Sequence, residues 1–307
     1  MRKWLALMLI AGYLSPVAGC RPAFLLNQRW VNVREEPTLL VFLEAEGEKR
    51  RMHFEEYLAG VVAGEVFGDW PRAALEAQAI IARTFTLEAL QRRGGTRELH
   101  GTDVCTNEEH FQAYDATAIN DAIREAVNAT RGMVITHRGR PVRAWFHADA
   151  GGRTATPAEG LGFRGERTPY LRSARVPTDE DENDWTATFT RAEIRRAAEQ
   201  VGASVQTVNR MRVAERGPSG RATVIQIDDT HVSAPAFRLA LGATEVRSTL
   251  ILGLRIDGDQ VIISGRGFGH GVGMSQEAAR ILAEQGRTAK EIIQTFYRRV
   301  EIRQQWD

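Results

Sequence analysis

Residues 265–274 read GRGFGHGVGM, with glycine at every second position from Gly265 to Gly273. Alternate positions without a side chain leave one side of the backbone bare, so another surface or a polymeric ligand can approach closely while Arg266, Phe268 and His270 point elsewhere. Two packings satisfy this pattern: a ligand laid along the bare side, or an element of the protein itself, such as a helix over a glycine-lined strand. The run is no nucleotide motif, because the spacing never gives G-x-G-x-x-G and no lysine follows as in a phosphate loop. His270, held between two glycines, is a candidate for function and equally for structure.

The rest of the chain has the composition of an ordinary globular protein, with 43% hydrophobic and 26% charged residues in 307. Forty lysines and arginines against 39 acidic residues give a formal charge of +1, so nothing electrostatic argues for nucleic acid as a partner. The N-terminus, MRKWLALMLIAGYLSPVAGC, joins Arg2 and Lys3 to an apolar stretch and then to small residues ending in cysteine, which is an export signal. Val17-Ala18-Gly19-Cys20 resembles a bacterial lipobox. That reading makes 1–19 a lipoprotein signal peptide, Cys20 the lipidated residue and 20–27 an anchor and linker; an ordinary signal peptide or an uncleaved anchor is the alternative. The expected location is the cell envelope, with the membrane reached through the lipid. Once Cys20 is lipidated, Cys105 has no partner within the chain and is a buried thiol, a metal ligand or a reactive site.

Alternating segments between Trp30 and Phe54 predict strands and a hairpin around Glu46-Gly47-Glu48. A helix over 55–66 follows, FGDWP breaks it, and Pro71 opens a second helix of about twenty residues. Residues 94–115 read as a polar loop, 117–129 as a helix, and GMVITHRGRPVRAWFHA as a hairpin turning at Arg138-Gly139. Beyond a loop at 149–184, Thr190 with Glu193 forms a capping box, strands are expected at 205–215 and 221–228, and Thr288 with Glu291 caps the last helix. This mixed order predicts an α+β fold, a helical core packed with antiparallel strands and hairpins.

In the helix 55–66, Leu58, Val61 and Val62 form the apolar stripe, and Glu65 follows on it. Burial favours the protonated form of a carboxyl, which is how a glutamate serves as a general acid near neutral pH. The bland alternatives are that Glu65 closes the helix, faces solvent past its end, or pairs with an arginine of the next helix. On the second helix Gln78 falls among Leu75, Ile81, Ala82 and Phe85, either bracing a turn or presenting its amide to a sugar. Arg83 lies off that face. His147 ends a strand against the Gly151-Gly152 turn, a position where loops carry function. His100, Cys105 and His110 supply three zinc-type donors, and the segment lacks a fourth.

The blocks EYLAGVVAGEVFGDWPRAALEAQAIIARTFTL, ATRGMVITHRGRPVRAWFHADAGGRT and GRGFGHGVGMSQEAARILAEQG together resemble the stage II sporulation protein D family, which includes the LytB amidase enhancers. The resemblance spans about 28 to 302. It implies one catalytic domain at 28–305, with 185–255 as a strand-helix subdomain or arm. It also implies a peptidoglycan lytic transglycosylase that cuts glycan strands lacking stem peptides, with Glu65 as acid/base and no cofactor. Gln78, Arg83, His147, Gly152, His270 and Gln276 fall in the motif blocks and are the implied lining of a glycan groove. The alternative is a non-catalytic wall-binding protein that stimulates a cell-wall amidase. Two departures stand out: His110 is followed by Phe111 where zinc-binding relatives have a second cysteine, and Asp149-Ala150 replaces a serine pair. Asp149 is therefore a candidate second carboxylate, which would favour hydrolysis.

Overall fold

A computed structural model describes residues 33–179 and 183–307; the expected signal peptide at 1–19, Cys20 and the expected linker at 20–27 lie outside the described residues. Among those residues the fold is α+β, with helices between several small sheets and no closed barrel. No described helix is long and apolar enough to cross a membrane. The chain divides into two compact units, one formed by the chain up to Trp145 with Leu282–Asp307, the other by Phe146–Ile281.

In the first unit, β1 (Thr38–Leu43) and β2 (Glu48–His53) form the expected hairpin, pairing Thr38 with His53 and Leu43 with Glu48. Helix α1 (Phe54–Glu65) leaves β2 directly, and α2 (Arg72–Arg93) starts after Pro71 and stops at Gly94, whose φ of 72° supplies the left-handed cap. Strand β3 (Val104–Cys105) adds to β1 in parallel, inside the stretch read as a loop. The expected helix over 117–129 is shorter. A 3-10 turn at Ala116–Ala118 ends, and Asn120 accepts from the Ile123 amide to start a new helix at Asp121–Ala129. The hairpin after it turns at Arg138-Gly139, both with positive φ. A C-terminal strand, Glu301–Gln304, pairs antiparallel with its first arm, Met133–His137. Leu58, Val61 and Val62 of α1 and Leu75, Ile81 and Leu87 of α2 are all fully buried in the core.

The second unit holds two three-stranded antiparallel sheets and one parallel pair. Asp184–Thr190 alternates buried and exposed residues, and its Thr190 caps the helix Arg191–Gln200 through a complete capping box with Glu193. The strand expected from 205 begins only at Met211, and its partner is Ala222–Ile227. Trp185, Phe189, Ile225, Phe237 and Ile263 belong to this unit's own core.

Candidate active site

Glu65 is the last residue of α1, and the chain turns extended at Val66, with φ −138° and ψ 164°. The residue is 7% exposed. Its Oε1 accepts the Ala113 amide at 3.0 Å. The glycines of α1 make this contact possible: a Cβ on Gly64 would stand 2.6 Å from the Tyr114 nitrogen and 2.8 Å from the Ala113 carbonyl carbon. The segment therefore lies directly on the helix, tied a second time by the Asp115 amide to the Gly60 carbonyl at 2.9 Å. Tyr114 stacks on the buried Tyr57, with ring centroids 5.8 Å apart.

Glu65 opens onto a cleft of about 820 Å³, whose walls come from the end of α1 and the FGD turn, from Thr106–Glu109, and from Ala113–Asp115. Burial, and next the neighbouring Glu109, raise the Glu108 carboxyl above the usual carboxylate range. Of the expected site residues, this cleft contains Glu65 alone. The sequence reading missed Glu108, Glu109 and Tyr114. Their only signal was proximity to the cysteine, in a segment with no periodicity.

Arg83 and Gln78 belong to the same unit, and both side chains are fully buried. Arg83 donates from Nε and Nη2 to Glu55 at 2.9 and 2.7 Å, and from Nη1 to the Met133 carbonyl at 3.0 Å. That corrects its placement on a glycan groove, since a guanidinium occupied by the core has no face for a sugar. Burial lowers its pKa, and Glu55 works against that. An acid of α1 does pair with an arginine of α2: Glu55 with Arg83. Gln78 braces no turn: its amide nitrogen and oxygen are enclosed without a hydrogen-bond partner among the described residues.

The second unit contains His147, Asp149, Gly152, His270 and Gln276. The imidazoles of His147 and His270 lie 5.4 Å apart. His147 Nδ1 meets the Val272 carbonyl at 3.2 Å, and His270 Nδ1 accepts the Val272 amide at 3.0 Å. A carbonyl only accepts and an amide only donates, so these contacts set opposite tautomers. Both rings are withdrawn from solvent, as is Gln276 at the start of its helix. Burial, followed by the nearby Arg238 and Arg221, pushes His270 down to about 3. Asp149 accepts the Gly151 amide at 3.0 Å, and burial raises its pKa. Gly151 and Gly152 follow with φ of 60° and 86°.

The glycine run proves to be packed by the protein itself. A Cβ on Gly269 would stand 2.7 Å from His147 Cβ, and one on Gly271 would stand 2.5 Å from the Arg221 guanidinium carbon. The close neighbours are therefore a strand end and an arginine, where a helix or a ligand was expected.

His100, Cys105 and His110 come together, with their donor atoms within 4.8 Å of one another. His100 Nε2 lies 3.1 Å from His110 Nδ1. Phe111, at the position of the second cysteine, is buried edge-on against Phe85 at 5.4 Å. Two imidazoles and a thiol are a donor set that suits zinc, leaving one position for a ligand from elsewhere. Burial lowers the pKa of His100, which keeps it neutral as ligation requires, but pushes the Cys105 thiol up to about 11.

A family profile described as "Stage II sporulation protein" matches residues 44–137, which contain the whole cleft, and one described as a domain of unknown function, DUF8618, matches 163–273. Stage II sporulation protein D of Bacillus amyloliquefaciens is 29% identical over 285 residues, covering 88% of this chain and 80% of the relative. An uncharacterised protein of Brachyspira hyodysenteriae is 28% identical over 253 residues, covering 82% and 67%. The amidase enhancer of Bacillus subtilis is 26% identical over 292 residues; the match covers 78% of this chain but only 39% of that longer protein. With the cleft inside the matched segment and sporulation proteins aligned along most of the chain, the protein is similar to the stage II sporulation protein D family.

Proposed function

We propose that the protein is an exported, lipid-anchored enzyme of the cell wall, a lytic transglycosylase that cuts peptidoglycan glycan strands between N-acetylmuramic acid and N-acetylglucosamine. The observation that carries this reading is one carboxyl, Glu65, held at the wall of an open cleft by a backbone amide. With Oε1 accepting the Ala113 amide, the carboxyl is fixed in orientation and acts from its protonated form, carrying one acid proton. Glu65 delivers that proton to the glycosidic oxygen as the bond to the anomeric carbon breaks. The muramic 6-hydroxyl then bonds to the same carbon, and its proton returns to the carboxylate. No water is consumed, and the product carries a 1,6-anhydro ring. Most glycosidases need a second carboxylate; here the substrate's own hydroxyl takes that part. A zinc ion, when bound at His100, Cys105 and His110, would supply structural cross-linking beside β3.

Mass spectrometry of peptide-free glycan strands after digestion tests the reading. Anhydro ends made by the unaltered chain and not by Glu65→Gln are the expected result. Reducing ends would indicate a hydrolase and overturn ring closure. The relative named an amidase enhancer favours a second reading, a wall-binding protein that stimulates an amidase. Absence of any cleavage, together with stimulation of a cell-wall amidase, would decide for it.

A further inference from the structure

Gln112, one residue before the amide that holds Glu65, is buried and does not line the cleft. We propose that it is a positioning residue for Glu65, fixing from outside the cleft the peptide whose N–H orients that carboxyl. The inference rests on the reading above, in which Glu65 is the acid and base.

The Gln112 side chain donates from Nε2 to Thr86 Oγ1 at 2.8 Å. Thr86, itself buried on α2, gives its own proton to the Ala82 carbonyl at 2.9 Å, so toward Gln112 it can only accept. The Tyr57 hydroxyl is in the same position, since it donates to the Cys105 carbonyl at 3.2 Å. Burial raises its pKa, the Cys105 thiol adds to that, and a hydrogen bond from the Gln112 side chain works against it. Both neighbours therefore call for a donor, which sets the amide with its nitrogen toward them. The consequence is an orphan: Gln112 Oε1 is enclosed without a partner among the described residues. A methionine of similar volume would fill the site and leave no unpaired acceptor, so what the amide alone supplies is a directed anchor. That anchor holds main chain. A peptide unit is planar, so holding the Gln112 Cα and carbonyl sets the direction of the Ala113 N–H, which donates to Glu65 Oε1 at 3.0 Å. Phe111, edge-on to Phe85, binds the preceding residue to the same helix α2. On the other side, the Asp115 amide is tied to the Gly60 carbonyl of α1. Glu65 is thereby placed by α2 through Gln112 as well as by its own helix, and a displacement of about 1 Å at a reacting group costs about 10²-fold in rate.

The full chain carrying Gln112→Met, Thr86→Val or both changes tests this beside the unaltered one. NMR titration of the ¹³C-labelled Glu65 carboxyl, identified by its loss in Glu65→Gln, reads the hydrogen bond without any glycan. An amide donated to a carboxylate favours the charged form, so Glu65 should titrate at least about half a pH unit higher in both single variants. On peptide-free glycan, kcat should fall about tenfold with KM unchanged. The double variant should be no worse than either single one, because both changes remove the same interaction. Thermal unfolding shows which variants are folded, and if Gln112→Met is not, Thr86→Val tests the same contact from its other side. A Glu65 titration unmoved in the folded variants, or moved while kcat of a cleaving chain is unchanged, would overturn the proposal. Cleavage by the unaltered chain is read separately. No cleavage, with the titration moved in the variants, overturns the transglycosylase reading alone; cleavage by every chain at one rate, with the titration unmoved, overturns the positioning role alone.

Discussion

Arg83 and Glu55 form a two-point ion pair inside the core, with Nε to Oε1 at 2.9 Å and Nη2 to Oε2 at 2.7 Å. The same carboxylate accepts the Trp306 indole at 2.9 Å and the Gly132 amide at 3.1 Å. One acid at the start of α1 thus ties α2, the Gly132 turn and the C-terminal end of the chain together. Removing one partner leaves a buried charge uncompensated, at a cost of about 3–5 kcal/mol. Arg83→Ala is therefore expected to lower the unfolding midpoint strongly. Glu55→Gln/Arg83→Met, which removes both charges, should recover part of the loss. Denaturant titration of the three chains checks this, and an Arg83→Ala chain of full stability that had lost only glycan affinity would return Arg83 to the groove.

Gly64 positions Glu65 from one residue away. The atoms that an alanine Cβ would meet, at 2.6 and 2.8 Å, are backbone atoms of Ala113 and Tyr114, so no rotamer change relieves them. Gly64→Ala should push this segment off α1 and take the amide from Glu65. The expected cost is about 1–3 kcal/mol in stability and a fall in glycan cleavage approaching about 10²-fold. Gly60→Ala meets the Tyr114 ring instead, a side chain that can swing, and should be the milder change. Cleavage rates and hydrogen exchange at the Ala113 amide measure both effects. Unchanged exchange in Gly64→Ala would mean that the contact does not depend on the glycine.

Helical spacing alone placed Glu65 on the buried stripe, and composition signalled both long helices, the first hairpin and two capping boxes. These features were legible because they are local, each fixed by residues close together in sequence. Arg83 was not, because its partner lies 28 residues away and no periodic pattern links the first turn of α1 to the middle of α2. The glycine run announced a close approach without naming the neighbour. Only the fold shows that His147 and Arg221, distant in sequence, occupy the bare side. The acidic wall of the cleft was hidden for the same reason, since its carboxylates are scattered from Glu44 to Asp115.

Acid should destabilise the second unit through its two histidines. Burial lowers the pKa of His147, with His270 and Arg221 adding to the effect, and His270 is pushed down to about 3 by burial, Arg238 and Arg221. An unfolded histidine takes its proton near pH 6.5, so between there and about pH 3 the unfolded chain binds more protons than the folded one. Stability then falls as pH falls through that window, at about 1.4 kcal/mol per pH unit for His270 alone. Asp149, whose carboxyl is raised by burial, acts in the opposite sense over a narrow range above its ordinary value. Unfolding midpoints from pH 7 to 4 should show a steep decline, shallower in His270→Gln. A profile with the same slope in both chains would show that His270 is charged in the folded state.

Cys105 should be nearly inert to alkylation while the chain is folded. Burial pushes its thiol up to about 11, and its side chain has no exposed surface. At pH 8 the thiolate fraction is then about 10⁻³, against about a quarter for an unfolded cysteine, so labelling slows about 200-fold on ionisation alone, before the cost of opening the structure. In a Cys20→Ser chain, where Cys105 is the single thiol, iodoacetamide labelling should be slow without denaturant and rapid with it. A zinc ion at His100, Cys105 and His110 has to displace the same proton. Its affinity should therefore rise about tenfold per pH unit through the neutral range and fall sharply in Cys105→Ser. Rapid labelling of the folded chain would mean that the thiol is neither enclosed nor protonated, and with it would go the case for His100 and His110 facing a buried sulfur.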